Sequence, residues 1–117
     1  MTQFATYSDL LAAITDDAGR DILNPATGEV VGHAPEGTVE DLNAAVETAR
    51  TAQKDFAKLS DAERCELLTK AAAAVDANAE ALVELLSREQ GKPLNGPNAR
   101  FEVGACSGWL NATAAFE

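Results

Sequence analysis

The chain has 117 residues, the size of one domain or part of a larger one, with 46% hydrophobic residues and a formal net charge of −10. So acidic a chain excludes nucleic-acid phosphates and anionic membrane surfaces as partners, because both need a basic face. Alanine accounts for 24 residues, while Leu, Ile, Val and Phe together number 25. A core can form, but it is alanine-rich and shallow, each alanine burying about one methyl group.

The start, Met1-Thr2-Gln3-Phe4, has neither a basic n-region nor an apolar h-region, and no apolar run approaches the roughly 20 residues that span a bilayer. Cys65 and Cys106 have neither metal nor redox spacing. These features predict a soluble protein of a reducing compartment, with the cytoplasm as its location.

In chain order, residues 1–19 form an N-terminal helical segment. Leu10, Leu11 and Ile14 make a short stripe over residues 8–15, opened by Ser8 as cap and broken at Asp16, Asp17 and Gly19. Residues 20–37 predict a β-hairpin. Asp21-Ile22-Leu23 and Glu29-Val30-Val31-Gly32-His33 flank a turn in which Pro25 presets φ and Gly28 takes the left-handed closing position. Pro35 and Gly37 end it.

Residues 38–117 form a helical segment. Thr38-Val39-Glu40-Asp41 and Ser60-Asp61-Ala62-Glu63 are capping boxes, each placing an acid near the positive end of a helix dipole. After the first, Leu42, Ala45, Val46, Ala49 and Phe56 recur at helical spacing; after the second, Leu68, Ala71, Ala72 and Val75 do. A further helix carries Leu82, Leu85, Leu86 and Glu89 and stops at Gly91, with Pro93 beyond. Asn95-Gly96-Pro97 then starts a last helix, with Pro97 at its first position.

From Ala99 to Phe116 the only charged residues of that last helix are Arg100 and Glu102. Phe101, Ala105, Gly108, Ala112 and Phe116 fall on one side and Val103, Cys106, Leu110 and Ala114 on the other. A helix apolar on both sides is normally buried on both. The upstream helices can cover one side, so the segment predicts an incomplete fold that self-associates through residues 97–116.

Chemistry-bearing residues are few. Gly91, Gly96, Gly104 and Gly108 fit no phosphate-loop spacing. The single histidine, His33, ends a strand and predicts a surface or packing role. Cys65 lies early in a helix, where the dipole favours thiolate, but Glu63 and Glu66 oppose it. Cys106 predicts an inert core position. Lys92 suits the negative end of the preceding helix dipole or an anion. Glu89 and Glu102 are carboxylates in apolar surroundings and need partners.

The ordered set Asn24-Pro25-Ala26-Thr27-Gly28-Glu29-Val30-Val31-Gly32, Glu40-Asp41-Leu42-Asn43-Ala44-Ala45-Val46, Arg64, Glu89-Gln90-Gly91-Lys92-Pro93-Leu94 and Glu102-Val103 resembles the N-terminal region of the aldehyde dehydrogenase superfamily. The resemblance implies an overall fold that is mostly α with a small N-terminal β-hairpin, the N-terminal portion of the cofactor-binding domain of an α/β enzyme. It also implies oxidation of aldehydes to carboxylic acids with NAD or NADP in the intact enzyme. The family's catalytic cysteine, general-base glutamate and nucleotide-binding strands fall beyond residue 117. Neither Cys65 nor Cys106 stands in the matching context, and Lys92-Pro93 is not the family's cofactor-binding lysine-proline. No catalytic or cofactor-binding residue is therefore expected in these 117 residues, which alone should be inactive and bind no cofactor. The one element implied is a monovalent cation site using the Leu23 carbonyl and the Glu102 carboxylate. The implied partners are the rest of the enzyme and further copies in a homo-oligomer. The alternative is a non-catalytic acidic helical module that self-associates or docks a partner through its last helix.

Overall fold

A computed structural model describes residues 2–116, and among them are five helices and one two-stranded antiparallel sheet. In order they are α1 (Tyr7–Ile14), β1 (Arg20–Leu23), β2 (Val30–Ala34), α2 (Val39–Phe56), α3 (Asp61–Ala77), α4 (Ala79–Gln90) and α5 (Ala99–Ala114). None of the described helices is long and apolar enough to cross a membrane.

Reciprocal capping boxes open α1, α2 and α3. The Thr38 and Ser60 boxes fall where the residue types place them. For α1 the cap is Thr6 rather than Ser8. The Thr6 hydroxyl accepts the Asp9 N–H at 3.2 Å and the Asp9 carboxylate accepts the Thr6 N–H at 3.0 Å. Ser8 has no acid three residues on with which to close such a pair, so the helix starts earlier.

The hairpin pairs Arg20 with Ala34, Asp21 with His33, Ile22 with Gly32 and Leu23 with Val30, with a register irregularity between Ile22 and Leu23. Its turn closes through Gly28, at φ 75°, whose N–H donates to the Asn24 carbonyl at 2.8 Å. The end of α1 is fastened to β2. Thr15 Oγ1 accepts the His33 N–H at 2.9 Å, and the Asp16 N–H donates to the His33 carbonyl at 3.1 Å. A Cβ on Gly32 would lie 2.6 Å from Leu11 Cδ1, so only glycine allows strand and helix to approach this closely.

Helix α4 stands at the centre. One side packs Ala81 and Leu85 on Leu10, with Tyr7, Leu11 and Val31 around them; the other packs Val83 on Ala99 and Val103 of α5, with Val75 of α3 alongside. Leu82 touches both clusters. The single stripe of Leu82, Leu85 and Leu86 thus understates α4, because Val83, off that stripe, is the largest fully buried side chain. Three of the seven buried hydrophobic residues are alanines, the shallow core that composition predicts. At the α3–α4 joint, the Asn78 side chain accepts the Phe4 N–H at 2.8 Å and donates to the Ala74 carbonyl at 2.8 Å, tying down the N-terminal arm.

Two expectations about packing need correction. Helix α2 buries no residue, and Val39, Leu42, Val46 and Phe56 on it are exposed. The cover over α5 therefore comes from α3 and α4 alone. Pro97 lies in a turn ahead of α5 rather than at its first position, and the cap is Asn98. The first N–H groups of α5 are taken up by carbonyls of the preceding loop, Ala99 on Pro93 at 3.2 Å and Arg100 on Leu94 at 3.3 Å.

Candidate functional site

The residues that carry chemical interest gather where the hairpin turn meets the α4–α5 loop. Gly91 ends α4 in the left-handed conformation, φ 67°, with its N–H on the Ser87 carbonyl at 2.8 Å. Glycine serves here twice over, because a Cβ at Gly91 would also lie 2.8 Å from Pro25 Cγ. The left-handed turn redirects the chain so that the Ser87 hydroxyl donates to the Lys92 carbonyl at 2.6 Å. The Lys92 ammonium then donates to both carboxylate oxygens of Glu102, in the first turn of α5.

Leu23, the last residue of β1, lies two residues before Pro25 and is 51% exposed. The structure thus sets the turn after Leu23 against Gly91 and joins the next residue, Lys92, to Glu102. The partner that a carboxylate in an apolar helix demands is, for Glu102, this lysine. Glu89 is half-buried at the edge of a cleft of about 220 Å³ lined by Leu11, Ile14, Ile22 and His33, and has no hydrogen bond or ion pair among the described residues.

The remaining candidates lie apart from this cluster. His33 is half-buried, with Nε2 3.4 Å from Asp21 Oδ1 on the paired strand, which is a packing position. Cys65 is half-buried in α3. Cys106 is exposed, not a core residue: Ala99, Val103 and Ser107 form the buried edge of α5, and Cys106 is rotated off it by about 100° from Ser107. Its Sγ lies 3.4 Å from the Glu102 carbonyl, one turn back. Among the described residues, no group of three or more His, Cys, Asp or Glu is placed to hold a metal ion.

A second, larger cleft of about 410 Å³ runs between α1 and α4, lined in part by Tyr7, Glu80, Glu84, Arg88 and Arg100. Arg88 stacks over the Tyr7 ring at 4.2 Å and donates to Glu84 at 2.7 and 3.0 Å. Arg100 grips Glu80 through both terminal nitrogens. Hydrogen bonding to Glu84 and Glu80 raises both guanidinium pKa values, and hydrogen bonding from Arg100, with its charge, lowers that of Glu80. The cleft is thus lined by matched charges. Its Glu84–Arg88 pair stands at the i,i+4 spacing that a sequence displays. The Glu80–Arg100 pair, 20 residues apart, has no such signal.

With this geometry in view, the chain belongs to the aldehyde dehydrogenase family, whose family model matches residues 14–116. It is 44% identical over 89 residues to a non-phosphorylating aspartate-semialdehyde dehydrogenase of Halomonas elongata, an alignment covering 74% of this chain and 18% of that protein. It is 38% identical over 92 residues to an NADP(+) succinate-semialdehyde dehydrogenase of Schizosaccharomyces pombe, covering 79% and 18%. A phenylacetaldehyde dehydrogenase of Pseudomonas fluorescens is 35% identical over 102 residues, covering 86% and 20%. The chain spans about a fifth of the length of these curated relatives. No solved structure matches it.

Proposed function

We propose that these residues form the N-terminal portion of the cofactor-binding domain of an NAD- or NADP-dependent enzyme that oxidises an aldehyde to a carboxylic acid. The observation that carries this reading is the family match over residues 14–116. The residues act as scaffold: α4 joins the hairpin to α5, while the remainder of the enzyme supplies the dinucleotide site, the nucleophile and the general base. Nucleophilic oxidation of an aldehyde needs a cysteine beside a base or in an electropositive setting. Cys65 has Glu63 and Glu66 as sequence neighbours, and Cys106 lies exposed with its Sγ on a backbone carbonyl. The 117 residues alone therefore turn over no aldehyde. The test is reduction of NAD or NADP by the purified chain against short, acidic and aromatic aldehydes. Turnover lost in Cys65→Ser or Cys106→Ser would refute the assignment.

Within the intact enzyme, the Leu23 carbonyl and the Glu102 carboxylate are assigned to a monovalent cation site. The donor set fits a hard cation, being oxygen from backbone and carboxylate. The contact of Pro25 with Gly91 and the grip of Lys92 on Glu102 support the assignment, because they draw the two elements together and show a carboxylate already neutralised by one positive charge. Thermal melting of the intact enzyme in potassium or sodium chloride, against tetramethylammonium chloride at equal ionic strength, tests it. Stabilisation by the small cations that persists in Glu102→Gln would remove Glu102 from the site.

A further inference from the structure

The side of α5 turned away from α3 and α4 is apolar, uncharged and open. Phe101 and Trp109 are 64% and 74% exposed, and Phe116, two residues past the helix, is 81% exposed. At about 100° per residue, Phe101 and Trp109 lie about 80° apart, opposite the buried edge of Val103 and Ser107. Gly104, Gly108 and Ala112 share that open side, and a Cβ on either glycine would meet nothing within 4 Å. From residue 103 to 116 there is no charged side chain, although the molecule carries a net −10. Arg100 and Glu102, at the start of the helix, are engaged by Glu80 and Lys92.

We propose that this face of α5 is a self-association surface, occupied in the 117-residue chain by the same face of a second copy. Area argues for it. At roughly 200 Å² per aromatic ring, the three exposures leave about 440 Å² per chain, or close to 900 Å² across a pair. A specific interface buries about 1,200–2,000 Å² in total, so three side chains supply most of a minimal one. The glycine and alanine strip supplies the rest, because it lets a second helix approach its backbone closely.

Charge argues for the same occupant. Two copies of an acidic chain repel over most of their surfaces, and a stretch without charge is where repulsion is least and apolar burial prevails. A two-fold axis near Gly108 sets the Phe101 end of each copy against the Phe116 end of the other, making the surface its own complement.

Trp109 is the only tryptophan and lies in the surface, so its emission reports on it directly. Sedimentation velocity and Trp109 emission of the full chain, from low micromolar concentration upward, should show a dimer forming together with a blue shift. Gly108→Leu meets no atom of its own chain and improves helix propensity, so the monomer should keep its helical circular dichroism. The same leucine obstructs the close approach and should weaken the dimer about tenfold or more. Phe101→Ser carries the same test if Gly108→Leu loses helicity. A folded chain that stays monomeric with solvated Trp109 emission would overturn the proposal and leave the face to downstream residues of an enzyme or to another partner. A dimer undiminished by either variant would place the contact elsewhere, also against it.

Discussion

Lys92 holds both carboxylate oxygens of Glu102 across the loop from α4 to α5, and that contact fixes where α5 begins relative to the hairpin. The two side chains are 32% and 45% exposed, so solvent screens much of their attraction. A double-mutant cycle with Lys92→Met and Glu102→Gln should give a coupling of about 0.5–1 kcal/mol at low salt, shrinking as salt rises. Urea denaturation of the four proteins at two ionic strengths checks it. A coupling unchanged by salt would mean the pair is far less solvated than the geometry shows.

Gly91 and Gly28 both have positive φ, yet they should respond differently to alanine. Gly28→Ala meets open space and should cost about 1–2 kcal/mol, the left-handed penalty alone. Gly91→Ala adds a 2.8 Å approach to Pro25 Cγ and should cost at least about 1 kcal/mol more, as overpacking does. Removing the obstruction with Pro25→Ala should recover part of that excess. Equal losses at the two glycines would show that Pro25 yields freely.

The capping boxes make a statement about pH. Hydrogen bonds from Thr38 and Ser60, backbone first and hydroxyl second, hold Asp41 and Glu63 below their ordinary 3.8 and 4.5. Arg100 holds Glu80 below 4.5. A carboxylate whose folded pKa is depressed contributes fully above its unfolded value and loses that contribution as pH falls through the folded one. Urea midpoints should therefore be level above about pH 5 and decline below it. The decline should flatten in Ser60→Ala and Thr38→Ala. A stability that rises on acidification through this range would contradict these pairings.

Burial separates two aliphatic residues that a sequence pattern treats alike. Val83 is 2% exposed between α4 and α5, and Val83→Ala should cost about 2 kcal/mol from lost transfer and the cavity left behind. Leu42 on α2 is exposed, so Leu42→Ala should stay within about 0.5 kcal/mol. Chemical denaturation of both variants decides. A large loss at Leu42 would mean that α2 packs against the body.

What the sequence makes legible here is what depends on near neighbours. The Thr38 and Ser60 boxes, the left-handed Gly28 and Gly91 and the apolar rows of α3 all follow from residues within about one helical turn of one another. Thr6 was hidden because Ser8 is equally good as an isolated cap, and only its lack of an acid three residues on disqualifies it. Cys106 was misplaced because an apolar composition does not reveal a helix's phase. Val83 was missed because a one-sided stripe was read where α4 is enclosed on two sides. The tie between Lys92 and Glu102 spans a loop whose path depends on Gly91 and Pro25 meeting, and no spacing rule reports that. The amphipathic pattern of α2 announces a partner without naming one, and the described residues supply none.

An 18-residue helix that buries nothing leans on its own backbone and caps. Isolated helices become marginal in water below about 12–15 residues, so α2 is only slightly longer than what can hold itself together. Its opening need not disturb the clusters around α4, and its cost should fall well below that of global unfolding. The molecule thus breathes in two parts. Amide protons of α2 should exchange with solvent early, as separate local events, while those at the α4–α5 contact wait for the whole body to open.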